Sequence, residues 1–141
     1  MQIKSISWVG IAVPDFPAAM EFFTSVLGLS TAAQDERGVA MLRVGEDQLV
    51  ELFGPGTGGY ANTTSAVAAF EVDDVAAARQ ELVAAQVEVL TEIGSWNGFE
   101  WFYFRGPGTH TFAIKRTPPE GWEAKRDGSD QLKPSTQVSK G

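Results

Sequence analysis

The sequence predicts an α+β domain made of two copies of a strand–helix–three-strand unit. Three observations carry this reading. A regularly alternating segment, Ile6 to Val13, is followed by Asp15 and an apolar stripe of helical spacing. The same order returns at an offset of 59 residues, the distance from Asp15 to Asp74. After each helix come three short strand candidates divided by turn residues.

In the first strand Val9, Ile11 and Val13 form one face and Trp8, Gly10 and Ala12 the other, because side chains alternate across a strand. Asp15 suits an N-cap, and Pro17 is tolerated in a first helical turn, where its missing N–H has no partner to lose. Phe16, Ala19, Met20, Phe23 and Leu27 follow at helical spacing, with Gly28 as the stop. Leu29 to Ala33, Val39 to Val44 and Gln48 to Phe53 read as strands. Gly54 to Ser65, rich in Gly and Thr, is a loop by composition.

The second copy runs from a strand at Ala66 to Val72 into a helix capped by Asp74, with Val75, Ala78, Leu82 and Ala85 as its stripe. Val87 to Ile93, Phe99 to Arg105 and Thr111 to Arg116 complete it, and Trp96 is expected in a loop beside Asn97-Gly98. At the repeat offset Val13 meets Val72, Ala18 meets Ala77 and Ala19 meets Ala78. One domain over residues 1–117 follows, with modules at about 1–58 and 64–117. Residues 118–141 read as an extended tail that Trp122 is placed to pin.

Composition narrows the function. The 141 residues include 11 basic and 18 acidic ones, a net charge of −7, and no basic stripe, which argues against nucleic acid. The tail from Pro118 is balanced in charge, so the deficit sits on the body. No apolar run approaches the length of a membrane span, and the alternating N-terminus does not read as a signal peptide. A cytoplasmic location is the expectation. The chain has no cysteine, so disulfides, thiolate metal sites and cysteine nucleophiles are excluded.

Several strings resemble the vicinal-oxygen-chelate superfamily, the glyoxalase and bleomycin-resistance type. They are Trp8-Val9-Gly10-Ile11-Ala12-Val13 with Asp15 and Val26-Leu27-Gly28-Leu29, then Val50-Glu51-Leu52-Phe53, Ala69-Phe70-Glu71-Val72-Asp73-Asp74, and Phe102-Tyr103-Phe104-Arg105-Gly106-Pro107-Gly108. Together they span Ile6 to Arg116. The resemblance implies two βαβββ modules forming a glyoxalase-like open barrel, and a homodimer. It also implies four inward positions that hold a divalent cation in metal-dependent members. Here those positions carry Trp8, Glu51, Val67 and Ala113. Only Glu51 can ligate, and one carboxylate does not hold a catalytic cation, which takes about three protein ligands in zinc sites. The sole imidazole, His110, falls in a turn. No metal and no other cofactor is expected.

Alternation then predicts who shares the cavity with Glu51: Leu49 and Phe53 on its own strand, Gly10 and Ala12 beside Trp8, and Ala69 and Glu71 beside Val67. If Tyr103 pairs with Ala113, as the resemblance implies, Phe99, Trp101 and Tyr103 also face inward. Phe102 and Phe104 then pack under the helices. The candidate ligand-binding residues are therefore Trp8, Arg43, Phe53, Val67, Phe99, Trp101, Tyr103 and Ala113. Plainer readings stand beside these: Trp8 as core filler, Trp101 and Tyr103 as subunit packing, and Arg43 as a solvated or ion-paired strand residue; Asp73 and Asp74 read as turn and cap.

Glu51 stays open between three roles: a general base with raised pKa, an acceptor that orients a ligand, or a relic satisfied by neighbours. Three functions follow. The first is a metal-independent binder of a small aromatic or cationic molecule, sequestering an antibiotic or metabolite. The second is a metal-independent isomerase, lyase or cyclase with Glu51 as base and Tyr103 as acid or oxyanion donor. The third is a metal enzyme with a rearranged site.

Overall fold

The computed structural model describes residues 1–63 and 65–119; most of the tail read from Pro118, Trp122 included, lies outside them. The elements in chain order are β1 (Ser5–Ala12), α1 (Phe16–Glu21), β2 (Ser30–Gln34), β3 (Val39–Val44), β4 (Gln48–Phe53), β5 (Val67–Glu71), α2 (Val75–Ala84), β6 (Glu88–Val89), β7 (Gly94–Trp96), β8 (Phe99–Arg105) and β9 (Thr111–Arg116). One unclosed sheet runs β2-β3-β4-β1-β5-β9-β8-β6, with β7 paired to β8. Its centre is the antiparallel β1–β5 pair, where the two modules meet. Each first strand is also parallel to the last strand of its own module, β1 to β4 and β5 to β9.

The repeat read from the sequence is a repeat of capping chemistry. Asp15 Oδ1 accepts from the Ala18 amide at 3.0 Å, and Asp74 Oδ1 accepts from the Ala77 amide at 2.9 Å. Each satisfies an amide that the first turn of a helix leaves without a partner. The first helix departs from expectation: after Glu21 the chain passes into a π-helical turn, Phe22–Val26, before Gly28 stops it at φ 77°.

The helices cover the outer face of the sheet. Val13, Ala40, Leu42 and Leu52 pack with Phe16, Ala19, Met20 and Phe23 of the first helical segment. Val72, Val75, Ala78, Phe102 and Ile114 form the equivalent cluster at α2, with Phe104 against it. The inner face buries Trp8, Met41, Leu49, Phe53, Val67, Ala69, Phe99, Tyr103 and Ala113 from both modules. This split follows period-two alternation, since a one-residue slip would exchange the faces.

The second module differs from its reading around residue 90. Only Glu88–Val89 pair there, and the expected loop around Trp96 is instead the strand β7, closed on β8 by a tight hairpin. Asn97 and Gly98 adopt φ of 53° and 89°, the left-handed pair that a two-residue hairpin turn needs. No described helix is long and apolar enough to cross a membrane.

Candidate functional site

The inner face encloses a cavity of about 60 Å³, lined by Trp8, Arg37, Val39, Met41, Glu51, Phe53, Ala69, Trp96, Phe99, Trp101, Tyr103, Ala113 and Lys115. That is room for a few water molecules. The strand register explains who meets whom. Gly10 stands beside Glu51 on one side and Val67 on the other, while Trp8 stands beside Ala69, which pairs with Ala113. Tyr103 pairs with Ala113 in turn, so β8 delivers Phe99, Trp101 and Tyr103 to the same face.

Gly10 lets Trp8 lie down. A Cβ at position 10 would overlap the Trp8 ring and press on the Thr63 methyl, so only glycine leaves the indole its place along the strand. In that place Trp8 Nε1 donates to Glu51 Oε1 at 2.8 Å. The indole also makes edge contacts with Phe53 and Tyr103, with ring centroids 6.3 and 6.4 Å away. Trp96 stacks on Phe99 at 6.0 Å with planes 13° apart.

Electrostatics are set by enclosure. Burial pushes the Glu51 carboxyl up to about 7, against the Trp8 hydrogen bond and the Lys115 charge, which favour the anion; Asp35 adds a small push upward. Burial, and then the Glu51 charge, raise the Tyr103 phenol well above its ordinary value, so it stays a proton donor. Lys115, only 5% exposed, is lowered by burial to about 8, although Glu71 and Glu51 both favour its charged form. Its Nζ lies 4.6 Å from the centre of the Phe99 ring and donates to Thr117 Oγ1 at 3.3 Å. The Thr117 hydroxyl bonds in turn to Glu71, which also receives Ser7 Oγ and the Thr117 amide. Arg37 pairs with Asp35 at 2.6 Å on the β2–β3 turn.

Of the residues singled out from sequence, Trp8, Glu51, Phe53, Phe99, Trp101, Tyr103 and Ala113 line the cavity together. Val67 and Arg43 do not. Val67 is 1% exposed and belongs to the packed inner core. Arg43 follows Met41 on the same face of β3, nearer the strand end, outside the lining set. Sequence reasoning missed Lys115, Arg37, Val39 and Met41. Lys115 had a signal, since it lies two residues beyond the inward-facing Ala113. Val39 and Met41 share the alternation of Arg43. Arg37 had none, because its place depends on how the hairpin tip folds over the cavity.

The donor set does not fit a chelated cation. Trp8, Val67 and Ala113 offer no ligand atoms beside Glu51, and the Glu51 oxygen nearest Trp8 is already engaged by the indole. Among the described residues, no group of three or more His, Cys, Asp or Glu side chains converges on one point.

Two modules of a strand, a helix and further strands, the second with the extra short strand β7, joined through their first strands and enclosing a cavity on the inner face, define the class. The chain belongs to the Glyoxalase/Bleomycin resistance protein/Dioxygenase superfamily, whose family model matches residues 5–114. Solved structures agree in fold. Methylmalonyl-CoA epimerase from Mycobacterium tuberculosis superposes with a TM-score of 0.63 at 20% identity, covering 84% of this chain and 91% of that one. A superfamily member from Vibrio splendidus gives 0.60 at 16% identity, covering 79% and 97%. A hypothetical protein from Bacillus halodurans gives 0.64 at 18% identity, covering 80% and 94%. No curated protein matches the chain.

Proposed function

We propose that this chain is a metal-independent binding protein for a small, flat, aromatic molecule, acting as a cytoplasmic homodimer. One observation carries the ligand reading: the indole of Trp8, at a position where the resemblance implies a chelating residue, is hydrogen-bonded to Glu51, the carboxylate of the cavity wall. Aromatic walls then favour stacking, and Glu51 and Tyr103 supply polar anchors. Lys115 in the same wall sets a positive charge against a cationic ligand, so the aromatic half of the expectation is carried forward. The cavity of about 60 Å³ admits at least the head of a small molecule, an antibiotic or a metabolite. Tryptophan fluorescence titration with single-ring aromatics tests this. Trp8→Ala and Trp101→Ala should each weaken binding strongly, and wild-type affinity in both would sink the reading. Light scattering tests the dimer.

A second reading is favoured by a different observation, the pairing of a carboxyl near 7 with a phenol that stays protonated. In it Glu51 is the general base of an isomerase, lyase or cyclase and Tyr103 the hydrogen-bond donor to the developing oxyanion. It expects an acidic limb near pH 7 in the rate profile. Full turnover by Glu51→Gln would dispose of it.

A further inference from the structure

We infer that Lys115 is a carbonyl-capturing amine: it forms an imine with a small aldehyde that enters the cavity beside Glu51. This rests on the reading of the cavity as a site for small aromatics, and it names their reactive class.

The setting is a cavity wall that withdraws an amine from water. Lys115 projects from β9 into the lining of an apolar cavity, almost wholly withdrawn from solvent. Its Nζ lies against the Phe99 ring, and among the described residues its hydrogen-bond partner is a neutral hydroxyl, Thr117 Oγ1. No carboxylate oxygen of a described residue lies within 4.0 Å of it in an ion pair, although Glu71 is its neighbour across the β5–β9 pair. Glu71 is instead held by Ser7 and Thr117. A desolvated ammonium gives up its proton more readily than a hydrated one, and the free amine is the nucleophile. The lowering of Lys115 to about 8 expresses the same enclosure.

The step balances without an oxidant or reductant. The amine lone pair forms a C–N bond to the aldehyde carbon while the carbonyl π pair moves to oxygen. The resulting carbinolamine breaks its C–O bond, and the oxygen departs as water carrying the two hydrogens that the amine loses. Glu51, near 7 and lining the same cavity, can lend the proton that the departing oxygen needs and recover one from nitrogen.

The contrast within the chain is Lys4, which is bonded to Asp73 at 2.7 Å and raised above its ordinary pKa by that partner. At neutral pH much less of Lys4 is free amine.

The experiment uses the full chain with benzaldehyde and cyanoborohydride at pH 7, followed by intact mass and peptide mapping. Lys115 should acquire a benzyl group roughly tenfold or more faster than Lys4. Lys115→Arg, which keeps a cation over Phe99 but forms no imine, should lose that modification while Lys4 is labelled as before. If Lys115→Arg fails to fold, Lys115→Met serves, and wild-type protein blocked by excess benzamide should also be protected. Benzamide binding, followed by tryptophan fluorescence, separates the two claims. If benzamide binds in its own titration but, in its absence, Lys115 stays unlabelled or is labelled no faster than Lys4, the imine is overturned and the cavity reading stands. Neither binding nor preferential labelling overturns both.

Discussion

Trp8 Nε1 and Glu51 Oε1 are joined by a 2.8 Å hydrogen bond between two neighbouring strands of the inner face. The bond holds an acceptor inside an apolar cavity and leaves it short of full compensation. Its donor is neutral, so it offsets part of the cost of enclosing the anion, and burial still dominates.

A pH-dependent stability follows, and its sign is fixed by the direction of the shift. Glu51 rises on folding from its ordinary 4.5 to about 7, so the folded state holds this proton more tightly than the unfolded state. Stability therefore falls as pH rises from 4.5 to about 7, and the loss is complete above that. It amounts to at most about 3 kcal/mol, less to the extent that water enters the cavity. Glu51→Gln should remove this slope, so that urea unfolding shows the variant gaining on the wild type between pH 5 and pH 8. Parallel curves for the two proteins would contradict it.

Lys115 supplies the opposite slope at higher pH. Its folded pKa is lowered to about 8 from 10.5, so the unfolded state binds the proton more tightly and stability climbs between those values. Lys115→Met should abolish that climb, read by the same unfolding curves between pH 8 and pH 10.5.

Trp8→Phe keeps a ring over Gly10 and removes the N–H. Since that N–H favours the Glu51 anion, the carboxyl should titrate above its present value of about 7. Carbon-detected NMR of the Glu51 side chain would read it. A midpoint at or below the wild-type value would show that the bond does not act on the charge.

Gly10→Ala should destabilise the fold by about 1–3 kcal/mol, the usual cost of overpacking a dense core. The added methyl overlaps the Trp8 ring, so the indole must leave Glu51. The indole N–H resonance of Trp8 should move together with the loss in urea midpoint. A neutral substitution would mean that the indole has a second resting place.

Zinc, nickel or magnesium should leave thermal stability unchanged at concentrations near the protein's own, because a ligand bound only to the folded state would raise it. One carboxylate already engaged by an indole does not compete with water for such ions. A rise that disappears in Glu51→Gln would overturn this.

Much of this was legible along the chain. The two capped helices, the strand limits at Val39–Val44, Gln48–Phe53, Phe99–Arg105 and Thr111–Arg116, and the division of inner and outer faces all follow from period and punctuation. These are local properties, written in neighbouring residues. So is the identity of Trp8, Val67 and Ala113, which offer no chelating side chains where the resemblance implies metal ligands. The strand β7 was less legible, because three residues carry too little alternation and only the Asn97-Gly98 turn announces it.

What the tertiary structure alone decided is which inward side chains meet. Val67 and Trp8 hold equivalent places in the two modules, yet Val67 is packed away while the indole reaches Glu51. Lys115 shares the face of Ala113, but its burial against Phe99 exists only because β8 and β9 lie side by side in the curved sheet. Arg37 arrives through a hairpin tip. Alternation tells which way a side chain points; curvature and enclosure set its neighbours and its dielectric, and those turned a lone carboxylate into a group that titrates near 7.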